Sequence, residues 1–246
     1  MSLHNRSQVL EALCRRAEAY YDREGLPFVT VTYAQSLDGS IAGAQGEPIA
    51  ISCKESLVYT HALRASHEGI LVGINTILSD DPALSTRLVA GDNPRPIVLD
   101  SHLRIPHTAK VLHRDNPIRP IVFTTSESGE EKQQALRALD VCVIELPSDS
   151  HGWISLKHML PRLGELGIKS LMVEGGGKVI TSFIQTQSVD HFIVTVSLKL
   201  IGGISVFNTP LPVNGHPGKL PMALDLSSMH WEGVDMILHG DPVWQI

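Results

Sequence analysis

Cysteine is scarce in this chain, and its few copies are scattered. Cys14, Cys53 and Cys142 are odd in number and show no CxxC spacing, which argues against a disulfide framework and a thiolate zinc site. Histidine is plentiful, yet no HExxH occurs and no His/Cys/carboxylate group has ligand spacing, so no bound metal is expected. No segment is long and apolar enough to span a bilayer, and the first residues lack the apolar stretch of a secretory leader. A soluble, cytoplasmic protein is the expectation. Linkers, low-complexity segments and repeats are also missing, which points to one compact domain with small additions. Nor is charge of one sign concentrated anywhere. The formal charge of −6 is spread over interleaved acids and bases, unsuited to nucleic acid or an anionic membrane as main partner. On that background a local group of arginines is informative, because the rest of the chain repels anions.

With 246 residues and 43% hydrophobic content, the chain can bury one large core. Ser7 to Arg23 reads as an amphipathic helix stopped by Gly25 and Pro27, giving a helical extension over 1–26 before a domain over 27–246. FVTVTYAQ (28–35) is the first strand, and Ser36-Leu37-Asp38-Gly39 is a turn. Ser52 and Glu55 fit a capping box that opens a helix ending near Arg64. GILVG (69–73) is a buried strand, and Asp80-Asp81-Pro82 reads as a turn. Strands follow at 96–100, 120–125 and 141–146, and helices at 129–139 and 155–166. A long strand over 190–203 and two antiparallel strands near 223–231 and 234–239 close the chain. The alternation predicts an α/β fold: a mostly parallel mixed sheet, helices on both faces and antiparallel C-terminal strands.

The most informative stretch is IKSLMVEGGGKVITSFI (168–184). A short apolar strand runs into Glu174, three glycines (Gly175, Gly176, Gly177), Lys178 and a helical segment. A strand, glycine turn and helix start form an anion site, because the free N–H groups and the helix dipole converge there. A tight packing turn would use the same glycines. Glu174 stands at the carboxyl end of its strand, where open α/β sheets bind ligands. Two familiar nucleotide motifs are absent. Walker A needs glycine where Met172 stands and Ser/Thr where Val179 stands, and no GxGxxG follows the first strand. Residues alone thus reach an α/β protein with a nucleotide or phosphate ligand.

Taken together, PFVTVTYAQSLDG, HALR, GILVGINTILSDDPAL, RPIVLDS and LMVEGGGKVI, in this order and spacing, resemble the riboflavin-pathway reductases. The resemblance runs from Pro27 to the C-terminus and is closer to the stand-alone yeast-type enzymes than to the reductase half of the bacterial deaminase-reductases. It implies a dihydrofolate-reductase-like fold, a cytoplasmic homodimer, NADPH as cofactor and a phosphorylated ribosylaminopyrimidine as substrate. It also implies that the chain carries no deaminase activity. The expected reaction reduces the ribosyl group of 2,5-diamino-6-ribosylamino-4(3H)-pyrimidinone 5′-phosphate to the ribityl form, by hydride transfer to C1′ of the ring-opened imine. The deaminated uracil analogue, or a dihydropterin or dihydrofolate on the same scaffold, are the alternative substrates. Where bacterial enzymes have a cofactor-contacting tryptophan and a substrate-contacting serine, this chain has Ala50 and Pro48, which favours the diamino substrate. By resemblance, cofactor contacts fall on Ala34, Ser52, Thr76, Asp80, Leu84, Ser101 and the turn Gly175 to Ser182, which includes Val179, Ile180 and Thr181. Substrate contacts fall on Arg64, Arg87 and Glu174, and Asp38 and Glu174 are the catalytic candidates, with Asp38 a possible source of the proton.

Overall fold

The computed structural model describes residues 3–113, 118–207 and 222–244. The chain runs α1 (Leu3–Glu24), β1 (Phe28–Ser36), β2 (Ser40–Ala42), α2 (Lys54–Ala65), β3 (Gly69–Gly73) and α3 (Ile74–Asp80). Next come β4 (Arg95–Leu99), β5 (Ile121–Thr124), α4 (Glu130–Arg137), β6 (Cys142–Glu145), α5 (Leu156–Glu165) and β7 (Ser170–Val173). The last elements are α6 (Gly177–Gln185), β8 (His191–Ser197), β9 (Ile204–Ser205), β10 (Met222–Glu232) and β11 (Asp235–Trp244).

Nine strands form one sheet in the order β10-β11-β8-β1-β7-β3-β4-β5-β6. From β8 to β6 every pairing is parallel, whereas β11 joins β8 antiparallel and β10 joins β11 antiparallel. The parallel strands are apolar throughout because helices cover both faces. On one face Leu13 and Ala17 of α1 and Tyr59 and Leu63 of α2 meet Phe28, Met172, Ile193 and Ile237. Farther along that face, α3 and α4 cover Ile70, Val72, Val98 and Val122. On the other face α5 and α6 bury Val31, Leu71, Ile97, Phe123 and Val173. The period of two assigns these residues: Ile70 pairs with Met172 and Leu71 with Val173, so alternate residues reach opposite cores. The predicted α/β class, with helices on both faces and antiparallel C-terminal strands, is the fold found. The N-terminal helix covers the sheet, since Leu13 and Ala17 belong to a core cluster with β1, β7, β8 and β11 residues.

Three local expectations differ from the structure. The Ser52–Glu55 capping box does not form: α2 starts at Lys54, Cys53 is its cap, and no side chain caps it. Instead the Cys53 N–H donates to Asp235 Oδ2 (2.7 Å), an acceptor supplied by the C-terminal hairpin. The segment before Asp81 is a helix, α3, and Asp81 ends it in the left-handed region at φ 42°. The strand expected over 190–203 stops at Ser197. There Asp38 takes the N–H groups of Ile201 and Gly202 out of the ladder direction.

A row of buried polar groups lies between α2 and the C-terminal strands. Tyr59 Oη is hydrogen-bonded to His239 Nε2 (2.9 Å), His239 Nδ1 to His191 Nε2 (3.2 Å), and His191 Nδ1 to Asp241 Oδ1 (2.6 Å). Burial and the neighbouring histidines push His239 down to about 3. His67, also buried, is held down at about 4.

Candidate active site

Four neighbouring strands of the sheet, β1, β7, β3 and β4, run parallel, so their carboxyl ends share one edge. Asp38 follows β1, Glu174 and the three glycines follow β7, Thr76 follows β3 within α3, and Ser101 follows β4. Residues far apart in sequence are thereby gathered at the place where such sheets bind ligands.

The glycine turn opens α6 as the residue pattern predicts. Gly176 is the cap, with extended backbone and no side-chain capping bond, so the first N–H groups of the helix keep their donor capacity. The turn is tightly enclosed. A Cβ on Gly177 would collide with the carbonyl oxygen of Val206, and one on Gly73 would lie 2.7 Å from Val179 Cγ2. Among the described residues the nearest atom at Gly176 would be Thr76 Oγ1 at 3.8 Å, leaving an opening between the two loops. The run assigned as one cofactor-binding block is split. Lys178 is exposed, but Ile180 is fully buried in the core, so its side chain cannot touch a ligand. Val179 packs against Gly73, and Ser182 Oγ donates to the Lys178 carbonyl (3.0 Å). Thr181 is 5% exposed, and its Oγ1 is buried without a partner among the described residues.

Beside this turn, Glu174 receives a two-point bond from α2. Arg64 Nε donates to Oε1 (2.8 Å) and Arg64 Nη2 to Oε2 (2.6 Å). Both side chains are largely buried, at 13% and 16% exposure. Two side chains expected to contact the substrate thus already hold one another, and Nη1 donates to the Ser85 carbonyl (3.2 Å). Arg87 is exposed, and its N–H donates to His61 Nδ1 (3.1 Å). His61 was not among the predicted site residues. The signal was present: His61 and Arg64 stand three apart on one helix and share a face. Burial, then the Arg64 and Arg87 cations, hold His61 down at about 4.

The other predicted positions divide. Ser101 accepts bonds at its carbonyl from Thr124 Oγ1 (3.2 Å) and Thr125 Oγ1 (2.9 Å), and its side chain is half-buried. Asp80 is exposed at the end of α3. Leu84 is 2% exposed within the second core cluster and has φ 48°, so its side chain is a packing residue and only its backbone is left for a ligand. Ala34 sits in β1 opposite Thr195, and Ser52 lies half-buried just ahead of α2. Asp38 is tied into the loop that follows β8. Its oxygens take Ser36 Oγ, Ser40 Oγ (3.3 Å), and the N–H groups of Ile201 (3.2 Å) and Gly202 (2.6 Å). The Ser36 bond first, then the Gly202 N–H, hold its carboxyl well below the usual carboxylate range. Lys199, from the same loop, donates to the carbonyls of Ala50 (2.7 Å) and Ile51 (2.7 Å), tying the segment that holds Pro48 and Ala50 to the end of β8. Among the described residues no three His, Cys, Asp or Glu side chains converge as metal ligands would. No helix there is long and apolar enough to cross a membrane.

A mostly parallel sheet with an uncapped glycine turn and an arginine–glutamate pair at its carboxyl edge defines an α/β protein with a candidate ligand site at that edge. The chain belongs to the RibD C-terminal domain family, whose sequence profile matches residues 27–234. It is 35% identical over 228 residues to the 2,5-diamino-6-ribosylamino-4(3H)-pyrimidinone 5′-phosphate reductase of Debaryomyces hansenii, covering 85% of this chain and 86% of that one. It is 37% identical over 188 residues to the riboflavin biosynthesis protein RibD of Aquifex aeolicus, covering 76% of this chain. The chain spans about half of that relative's length, 51%. Among solved structures, the riboflavin biosynthesis reductase Rib7 of Saccharomyces cerevisiae superposes with a TM-score of 0.66 at 29% identity, covering 90% of this chain and 92% of that one.

Proposed function

We propose that this protein is an NADPH-dependent reductase of riboflavin biosynthesis. Its substrate is 2,5-diamino-6-ribosylamino-4(3H)-pyrimidinone 5′-phosphate, and the ribosyl group is reduced to the ribityl form. The observation that carries this reading is the Arg64–Glu174 pair standing beside the glycine turn, in a chain of this family. The diamino substrate is favoured over the uracil analogue because Pro48 and Ala50 stand where the resemblance places a substrate-contacting serine and a cofactor-contacting tryptophan in the bacterial enzymes.

The residues present suit a dinucleotide. The uncapped α6 start offers N–H donors and a positive dipole end to a pyrophosphate, and the opening at Gly176 gives it access. When bound, the nicotinamide cofactor supplies the hydride. The protein's part is recognition and alignment. Arg87 and the remaining donors of Arg64 meet the substrate phosphate, a local positive group on a chain of net charge −6. Glu174, oriented by Arg64, turns its remaining lone pairs to the amino groups of the pyrimidinone. Lys199 and Asp38 fasten the two loops that rim the site, which aligns the reactants and limits water. We also propose a homodimer. The outermost strand β10 exposes Leu226 (53%), Met229 (61%) and Trp231 (49%), an apolar face suited to a second copy.

The test is NADPH oxidation by the purified protein, offered in parallel the diamino compound, its uracil analogue and dihydrofolate. Preference for the diamino compound is expected. Preference for the uracil compound would overturn the substrate, and activity with dihydrofolate alone would overturn the pathway.

A further inference from the structure

The segment from Pro82 to Arg87 has no regular secondary structure, yet three consecutive backbone groups in it are pinned by side chains. Arg64 Nη1 donates to the Ser85 carbonyl (3.2 Å), Asn93 Oδ1 accepts the Thr86 N–H (2.7 Å), and His61 Nδ1 accepts the Arg87 N–H (3.1 Å). Two of the three pins come from one face of α2. His61 and Arg64 offer it an acceptor and a donor, and Arg64 simultaneously grips Glu174. The backbone that carries Arg87 is thus referenced to the residue it must work beside.

Nδ1 can accept only while it carries no proton, which places the proton of the neutral ring on Nε2. The ring is 3% exposed and stands between two arginines, so it stays neutral at physiological pH and the acceptor persists. A lysine or arginine here could not serve, because neither has an acceptor.

We propose that His61 is a positioning residue for the substrate phosphate: by accepting the Arg87 N–H, it fixes the backbone from which the Arg87 guanidinium reaches the anion next to Arg64. The inference rests on the assignment of Arg87 to the substrate phosphate made above.

The test compares H61A, H61L and H61N with the wild-type protein. Asparagine keeps an acceptor near the Nδ1 position, leucine keeps apolar volume without one, and H61L replaces H61A wherever the smaller side chain does not fold. Losing the acceptor is expected to raise KM for the phosphorylated substrate about tenfold, the effect of one hydrogen bond, with kcat and the KM for NADPH little changed. H61N is expected to recover most of the loss. With the dephosphorylated substrate, H61A or H61L should match the wild-type protein. Equal KM shifts for phosphorylated and dephosphorylated substrates, or H61N behaving like H61A, would overturn the proposal. Calorimetric titration with ribose 5-phosphate separates this outcome from failure of the reaction itself. A wild-type protein inert as a reductase, but binding ribose 5-phosphate about tenfold more tightly than H61L, would overturn the reaction and support the positioning role. Equal binding by all variants would overturn the positioning role whatever the turnover.

Discussion

Arg64 and Glu174, 110 residues apart in sequence, meet through two hydrogen bonds of 2.8 and 2.6 Å, joining the end of α2 to the end of β7. This pair ties the fold together at the edge proposed above to recognise the substrate. Removing one partner of a largely buried ion pair leaves the other charge uncompensated, at a cost of about 3 kcal/mol. E174A is therefore expected to lower the free energy of unfolding by about that amount in urea titrations. Its kcat/KM for substrate should fall about a hundredfold, as loss of a charged hydrogen-bond partner worth about 2–3 kcal/mol implies. NADPH affinity should stay within about twofold.

Adjacent glycines make opposite predictions. Gly176 has φ −63°, and a methyl group there would clear its neighbours, so G176A should fold normally. Its methyl would enter the opening beside Thr76 and weaken cofactor binding about tenfold or more, read by fluorescence titration with NADPH. At Gly177 the methyl would strike the Val206 carbonyl, a backbone atom that cannot swing away. G177A should therefore lose stability, by about 1–3 kcal/mol, before its cofactor affinity can be judged.

We propose that Asp38 holds the 199–203 loop rather than transferring a proton. D38N should keep the shape of the pH profile of kcat/KM. D38A should speed amide exchange at Ile201 and Gly202 without changing exchange in β1. A D38N profile that lost one limb would return Asp38 to the proton path.

Acid should weaken the fold through buried histidines. His67 and His239 take up protons in the folded chain only at about 4 and about 3, whereas unfolded histidine does so near 6.5. Between those values the unfolded state binds more protons. Stability is then complete above pH ~6.5 and is lost as pH falls toward 4, by up to about 1.4 kcal/mol per unit for each ring. Asp190, raised by burial to about 6, acts in the opposite sense, since the folded state holds a proton that the unfolded state has released. Urea midpoints should fall between pH 6.5 and 4.5, and D190N, which removes the opposing contribution, should steepen that fall.

Much of this architecture was legible from residue patterns. GILVG and SLMV read as buried strands because both faces of a parallel sheet are covered, and the structure places strands over both stretches. The glycine turn was legible because glycine, strand and helix signals coincided within ten residues. What escaped was whatever depended on distant partners. The acceptor for the Cys53 N–H lies 182 residues away in Asp235, so a local capping box looked sufficient and was not used. Helix α3 has only seven residues, too short for a helical period to emerge. Arg64 and Glu174 were each visible as charges aimed at a ligand, but their grip on one another exists only once β7 and α2 are assembled. The inward turn of Ile180 and Leu84 likewise followed from packing that a motif read as a continuous string cannot express.

The central claim, that this protein delivers a hydride to the ribosyl carbon of the diamino substrate, is tested most directly by isotope transfer. The protein would be incubated with the diamino compound and NADPH deuterated at the transferable position, and the product examined by NMR. The account predicts consumption of NADPH, a ribityl product and deuterium at C1′. A product without deuterium at C1′, or no ribityl product while NADPH is consumed, would contradict it.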